Sequence, residues 1–380
     1  MFLVVYFLHN IFCMKTMKME ALMRVLFCLG LFLLLAGCRS AVGMAGAPDE
    51  CKFNRLFSWN VPKNEEDFER CSQAGVTDIV VHNQRQYDLA LKYGMTPYWR
   101  CFIPAGPHPQ VMTSEEEKHF AYINGQDIDK KAPDRMKEIH RRRRELKHRY
   151  GGEQEAPLDT LNNTRIPCFA SDTDLSLSRQ KLNDLLKDVP PDNKGMFLDF
   201  FGYMNHRGCY CEGCIARYKH YLKEHNLEDS SKNKDEFYTQ QLLDYYEGII
   251  GYIKSKHPDF KIVAHFYPDF RPDHLYGNRT KVDFCGQTVA WYFKWPSPKI
   301  KQYTKYVTEH AKDYYPFAEG VPFVGLNTDA SSSLGFKTPE ELEQELKVIL
   351  AAGGRTLMVC DGRCIIEPGY FEVFRKYCGK

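Results

Sequence analysis

The chain has 380 residues, of which 43% are hydrophobic and 26% charged, and its formal net charge is +2 at pH 7. This composition is ordinary for a globular protein, so it disfavours a disordered chain, a collagen-like repeat and the strong basic excess of a nucleic-acid-binding protein. The length suits either two average domains or one α/β barrel.

The N-terminal segment has the layout of an export signal. Arg24 precedes a short apolar run that ends in Leu35-Ala36-Gly37-Cys38, and the run is too short to predict a membrane span. These four residues resemble a bacterial lipobox, which implies that Cys38 becomes the lipidated first residue of the mature protein. We therefore predict a signal peptide with lipobox over residues 1–38, a lipid anchor in the membrane and a location at the cell envelope. An uncleaved anchor helix is the alternative.

After a linker over residues 39–54, short apolar runs alternate with amphipathic stretches. The predicted strands cover residues 56–59, 78–82, 97–102, 196–199, 261–266, 284–291, 323–327 and 356–361. Eight strands that alternate with helices predict a (β/α)8 TIM barrel over residues 55–380, with a long insertion between the third and fourth strands. A doubly wound open sheet is the alternative, but no G-x-G-x-x-G sequence follows a strand, so a dinucleotide site has no support.

The insertion contains a basic run over residues 140–149, with four arginines at 141–144. Such a run is usually the solvated face of a helix, and the near-neutral charge of the whole chain argues against nucleic acid as a partner. Contact with anionic lipid headgroups or with an acidic glycan is the alternative.

Aromatic and polar residues stand at the predicted strand ends, where the chemistry of such barrels is located. Aromatic rings can stack on the apolar faces of sugar rings, while the polar side chains can hydrogen-bond to sugar hydroxyls. The candidate substrate-binding residues are Trp59, His82, Arg100, Tyr203, His265, Tyr267, Trp291 and Asn327. Each alone could be a packing residue, and it is their common placement that favours a carbohydrate site.

Asp199 is the most informative single residue, because its carboxylate directly follows the hydrophobic segment Met196-Phe197-Leu198. A charge in such a position is costly unless it has partners or a function. Glycoside hydrolysis generally uses two carboxyl groups, separated by about 5–5.5 Å for retention of configuration and about 6.5–9.5 Å for inversion. Asp361, Asp329 and Asp269 qualify as the second group by position, whereas Glu319 precedes the seventh predicted strand and is expected at the opposite end of the barrel.

A Cys-x-Cys-x-x-Cys cluster, Cys209, Cys211 and Cys214, follows the fourth predicted strand. Its spacing brings three thiolates within reach of one ion, and tetrahedral zinc needs a fourth ligand. His206 is the nearest candidate for that ligand and Cys168 a distant one. A disulfide within the cluster, such as one between Cys209 and Cys214, is the alternative in an exported protein. We predict a structural rather than a catalytic zinc ion, since closed thiolate sites organise loops.

The stretch from Ile166-Pro167-Cys168-Phe169 through Gly195-Met196-Phe197-Leu198-Asp199 to the cysteine cluster and Ile215-Ala216-Arg217-Tyr218 resembles the glycoside-hydrolase-like TIM-barrel lipoproteins of environmental and gut bacteria. The cysteine cluster also looks like the zinc site of some barrel-fold β-galactosidases. The resemblance covers about fifty residues and implies a carbohydrate-active barrel with Asp199 in its site.

The chain departs from the pattern of barrel glycosidases that use a glutamate pair, because Asp199 and Asn327 stand where those enzymes have glutamates at strands four and seven. Families that use aspartate at strand four fit better. The sequence therefore favours a glycoside hydrolase that acts on a polysaccharide or oligosaccharide. A glycan-binding lipoprotein without catalytic activity is the alternative, and a metal-dependent hydrolase is a third hypothesis.

Overall fold

The computed structural model describes residues 52–60, 62–102, 109–113, 161–168, 170, 172, 174–201, 209–266, 279–292, 295–330 and 336–379. The predicted signal peptide, Cys38, the basic run at 140–149, and the candidate residues Tyr203, His206, Tyr267 and Asp269 lie outside these residues. None of the helices in the described part of the chain combines the length and the apolar character that crossing a membrane would take.

The described chain forms a closed (β/α)8 barrel, as the alternation of strands and helices predicts. In chain order, the strands are β1 (Arg55–Ser58), β2 (Asp78–Val81), β3 (Thr96–Phe102), β4 (Pro109–Thr113), β5 (Leu161–Pro167), β6 (Gly195–Phe201), β7 (Lys261–Phe266), β8 (Phe284–Ala290), β9 (Glu319–Gly325) and β10 (Thr356–Cys360). All of them except β4 and β5 form the barrel, and the order β1-β10-β9-β8-β7-β6-β3-β2 closes through parallel pairing of β1 with β2.

Helices cover the outside of the barrel and alternate with its strands. They are α1 (Glu65–Gln73), α2 (Gln84–Lys92), α3 (Ser176–Lys187), α4 (Glu212–Glu224), α5 (Ser231–Lys256), α6 (Ser297–His310), α7 (Pro339–Ala351) and α8 (Tyr370–Cys378), with a 3-10 helix at Gly362–Ile366 between β10 and α8. A barrel strand is covered by helices on its outer face and by packed side chains on its inner face. Strands β2, β8 and β10 are accordingly buried along their whole length.

Local sequence explains where several of these helices begin. Asn64 and Asn83 each accept a hydrogen bond from a backbone N–H in the first turn of α1 and α2. Thr338 and Glu341 form a reciprocal capping box at the start of α7, with Pro339 in the first turn. Because side-chain caps satisfy N–H groups that have no partner within the helix, they fix the residue at which each helix follows its strand.

The insertion between β3 and β6 contains an antiparallel ribbon of β4 and β5, which no pattern in the sequence predicts. Among the barrel strands, β9 differs most from its predicted bounds. Strand β9 occupies Glu319–Gly325 rather than 323–327, so Glu319 begins the strand instead of preceding it. It nevertheless lies at the N-terminal end of the barrel, where its carboxylate accepts a hydrogen bond from Thr356. Helix α5 begins at Ser231, because Ser230 provides its N-cap.

Aromatic rings fill the N-terminal half of the barrel interior. Phe57 of β1 lies 5.4 Å from Tyr98 of β3 and 5.2 Å from Phe284 of β8, measured between ring centroids. The guanidinium group of Arg55 lies over Phe284 and its Nε is 3.4 Å from the buried carboxylate of Asp78. This packing closes the N-terminal end and leaves the C-terminal end as the place for a binding site.

Candidate active site at the C-terminal end of the barrel

Four rings form the base of the C-terminal end, and we call Trp59, His265, Trp291 and Phe323 the aromatic floor. Phe323 of β9 lies in its middle, with centroid distances of 6.5 Å to Trp59, 6.2 Å to Trp291 and 3.6 Å to His265. Trp59 directly follows β1 and is half-buried, whereas Trp291 directly follows β8 and is 6% exposed. The structure therefore brings together three candidate residues from strands that are far apart in sequence.

His265 is the most buried polar member of the floor. It stacks on Phe323 with an interplanar angle of 20°, and its Nε2 lies 3.1 Å from Oγ1 of Thr288. Burial disfavours the imidazolium ion and lowers the pKa of His265 to about 3. The ring is therefore neutral at physiological pH and supports the floor from inside. Contact between His265 and a substrate stays a prediction.

Trp291 and its neighbour Tyr292 occupy the rim of the floor beside β9 and β10. Among the described residues, no group accepts a hydrogen bond from the buried Nε1 of Trp291. The hydroxyl of Tyr292 lies 3.1 Å from Sγ of Cys360. Gly325 permits this packing, because a Cβ there would lie 3.0 Å from the backbone nitrogen of Tyr292. A buried N–H without a hydrogen-bond acceptor is unusual in a folded protein.

Two of the predicted polar residues meet where β9 and β10 end. The backbone N–H of Asp361 donates to the carbonyl oxygen of Leu326 at 3.0 Å, so Asp361 lies beside the residue that precedes Asn327. The carboxylate of Asp361 is 16% exposed and accepts two hydrogen bonds of 2.9 Å, from the backbone nitrogen and Nε of Arg363. Asp329, two residues after Asn327, is exposed. Its backbone N–H donates to Oδ1 of Asn327 at 3.1 Å.

Asp199 is the fifth residue of β6, and its backbone pairs in register with Phe102 of β3. The pairing of β6 with β7 becomes irregular between Leu198 and Phe201, so Asp199 lies in a bulge. Bulges are frequent beside active sites, where they redirect side chains. The side chain of Asp199 itself lies outside the described part of the structure.

His82 directly follows β2 and is an exposed residue, whereas Arg100 is the fifth residue of the neighbouring strand β3. Desolvation of the imidazole and the positive charge of Arg100 lower the pKa of His82. Because a lowered pKa favours the neutral imidazole, His82 can accept as well as donate a hydrogen bond at neutral pH.

The cysteine cluster lies between the ribbon and the loop after β6. The sulfur atoms of Cys168, Cys209, Cys211 and Cys214 all lie within 4.8 Å of one another. Cys168 directly follows β5, and Cys211 is the N-cap of α4. The structure therefore supplies a fourth sulfur from the distant candidate Cys168, while the prediction for His206 falls outside the described residues. No disulfide is formed among the described cysteines, so none joins Cys209 to Cys214.

The donor set fits a tetrahedral metal ion. Four ligands at the usual Zn–S distance of about 2.3 Å would place their sulfur atoms about 3.8 Å apart, and Cys168 and Cys214 are 3.4 Å apart. Hydrogen bonds with neighbouring thiols, followed by burial, raise the pKa of Cys214. Four such thiols would not ionise together without a cation, so the cluster could hold a divalent ion.

No protein-family model matches the chain, and a search of curated proteins also finds no match. Comparison with solved structures does find similar folds. The glycoside hydrolase domain of PgaB (BpsB) from Bordetella bronchiseptica is 11% identical with a TM-score of 0.51, and the match covers 87% of this chain and 99% of that domain. Gan42B, a GH42 β-galactosidase, is also 11% identical with a TM-score of 0.51, over 86% of this chain and 57% of the enzyme.

At this level of identity, the two similarities concern the fold. This chain has the (β/α)8 barrel found in glycoside hydrolase domains, and it spans little more than half the length of Gan42B.

Proposed function

We propose that this protein is a glycoside hydrolase that acts on a polysaccharide or oligosaccharide at the cell envelope. The observation that carries the proposal is the aromatic floor at the C-terminal end of a barrel with the fold of glycoside hydrolase domains. Trp59, which is half-buried, offers an apolar face to a sugar ring, while Trp291 packs against Phe323 and has an Nε1–H for which no described residue is the acceptor.

The proposed catalytic residue is Asp199, as nucleophile or base, with Asp361 or Asp329 as its partner. The bulge in β6 at Asp199 supports its role, because a bulge beside an active site redirects a strand residue. Asp361 is the better supported of the two partners, because it directly follows β10 and its carboxylate is oriented by Arg363. Asp329 is exposed and donates its backbone N–H to Oδ1 of Asn327.

We further propose that Cys168, Cys209, Cys211 and Cys214 hold a structural zinc ion. Four thiolates close the coordination sphere, so the ion would leave no open position for water or substrate. Its effect would be to fasten the ribbon, through Cys168 after β5, to the segment that follows Asp199 in β6. A metal-dependent hydrolase, which needs an open position, is less well supported by this closed set.

The test is release of reducing ends by the purified protein from a broad panel of neutral, aminated and acidic polysaccharides and aryl glycosides, with binding to the same glycans measured in parallel. We expect at least one glycan to be both bound and cleaved. Binding without cleavage would favour the alternative, a glycan-binding lipoprotein that lacks a second functional carboxylate. Neither binding nor cleavage across the panel would contradict both functions.

A further inference from the structure

A lysine and a glutamate are buried together behind the loops of the C-terminal end. Lys337 has no exposed surface, and its Nζ lies 2.6 Å from Oε2 of Glu345 and 3.0 Å from the carbonyl oxygen of Gly325. Glu345, on α7, is 3% exposed. Burial lowers the pKa of Lys337 and raises that of Glu345, and in each case the partner's charge opposes the shift. Fully buried lysines are rare and occur almost only when paired.

The pair holds the connection from β9 to α7, which carries the candidate substrate-binding residue Asn327. Lys337 lies in this connection, and Glu345 lies in α7. Gly325 ends β9, and the backbone N–H of Lys337 donates to the carbonyl oxygen of Asn327 at 3.3 Å. The hydroxyl of Tyr370 in α8 donates to the carbonyl oxygen of Lys337.

We propose that Lys337 and Glu345 are positioning residues of the candidate site, which hold the β9–α7 connection against the end of β9 so that Asn327 faces the ligand. This inference rests on the proposed function for its consequence in glycan recognition. Neither residue touches the ligand, since both are buried behind the connection that they hold.

Stability alone does not explain this pair. Removing two charges from water is costly, and replacing a buried pair by apolar residues of similar size is often neutral or stabilising. Hydrogen bonds are directional, however, and Nζ of Lys337 donates to the carbonyl oxygen of Gly325 as well as to Glu345. An apolar replacement would fill the same volume without fixing this backbone group.

The test separates positioning from stability with the double variant Lys337→Met/Glu345→Leu, which leaves no buried unpaired charge. Hydrogen exchange is measured by mass spectrometry for peptides that cover residues 326–330 and 361–366. A backbone hydrogen bond between Asp361 and Leu326 joins these two segments, and neither Lys337 nor Glu345 takes part in it. We expect exchange there to be at least tenfold faster, with peptides of the β2–α2 connection unchanged. For a glycan that the wild type binds, we expect Kd or KM to rise at least fivefold, with a smaller change in kcat.

The control is Lys254→Met/Asp283→Leu, which removes the buried Asp283 and its half-buried partner Lys254, 3.1 Å away, at the opposite end of the barrel. This variant also removes the bonds of Asp283 to Lys261 and to the backbone N–H of Ile262. It should leave exchange at 326–330 and 361–366 unchanged.

Tyr370→Phe is a milder second variant if the double variant does not fold, and it should accelerate exchange in the same peptides to a smaller extent. Exchange rates equal to those of the wild type in the folded double variant would overturn the inference. If the double variant does not fold, wild-type exchange rates in Tyr370→Phe would overturn it. If the wild type acts on no glycan, the proposed function fails, and the exchange rates still decide the positioning role.

Discussion

His265 illustrates how the barrel interior changes the chemistry of one residue. Its imidazole is buried between Phe323 and Thr288, and burial lowers its pKa to about 3. In the unfolded chain the same group has its ordinary pKa of about 6.5. Between these values the unfolded state binds a proton that the folded state does not, so the contribution of His265 to stability decreases as the pH falls below about 6.5.

From this pKa difference we predict the pH dependence of unfolding. Between pH 6.5 and pH 5, the free energy of unfolding should fall by about 1.6 kcal/mol on account of His265, since the slope approaches about 1.4 kcal/mol per pH unit only below pH 6.5. His265→Gln, which keeps a polar group near Thr288 but does not titrate, should lose this part of the slope. Urea unfolding at several pH values measures both proteins, and equal slopes would contradict the neutral buried state of His265.

The indole N–H of Trp291 gives a second prediction at this scale. A hydrogen bond contributes about 0.5–1.5 kcal/mol net, so Trp291→Phe, which retains an aromatic ring, should weaken binding of a bound glycan by roughly two- to tenfold. Trp291→Ala should weaken it more, because the stacking surface is lost as well. Titration of each variant with that glycan measures the effect, and Trp99→Phe, at a buried tryptophan of β3, is the control. An unchanged affinity in Trp291→Phe would remove the N–H from the site.

At the scale of elements, the cysteine cluster joins parts of the chain that the barrel itself does not hold together. Cys168 follows the ribbon strand β5, while Cys211 and Cys214 belong to the beginning of α4. A metal ion here would add binding free energy to folding, because the unfolded chain does not present the four sulfurs together. Chelation should therefore lower the thermal midpoint of unfolding.

The identity of the fourth ligand can be tested directly. We predict that Cys168→Ser loses bound zinc and melts at a lower temperature, whereas His206→Ala retains one zinc per chain, because the sulfur of Cys168 completes the cluster. Elemental analysis and thermal unfolding give both results, with Cys285→Ser, a buried cysteine of β8 outside the cluster, as the control. Zinc loss in His206→Ala together with retention in Cys168→Ser would contradict this assignment.

At the scale of the whole molecule, the fold follows from the sequence more closely than the site does. The eight barrel strands are short apolar runs, and β7 lies at the predicted residues 261–266. Strand β9 was less predictable, because Glu319 and Pro322 do not look like strand residues, although barrel pairing with β8 extends over them. Propensity is overridden there by tertiary pairing.

The site depends on contacts between residues that are distant in sequence, which no local pattern contains. The aromatic floor joins Trp59 to Phe323, and the cysteine cluster joins Cys168 to Cys214 across the insertion. Lys337 looks like an exposed residue before a helix, and only the folded structure shows it to be buried against Glu345. Closure of the barrel brings these groups together, so their pairing became visible only with the fold.

The central claim is that the C-terminal end of this barrel hydrolyses glycosidic bonds with Asp199. The most direct measurement compares the turnover of wild type, Asp199→Asn and Asp184→Asn on a glycan that the wild type cleaves; Asp184 is an exposed residue of α3 that serves as control. Loss of a positioned acid–base group typically lowers the reaction rate by about 10²–10⁴-fold. We therefore predict that Asp199→Asn lowers turnover by at least that factor and retains its affinity for the glycan. Asp184→Asn should turn over the glycan at the wild-type rate. Equal turnover by wild type and Asp199→Asn would contradict the account.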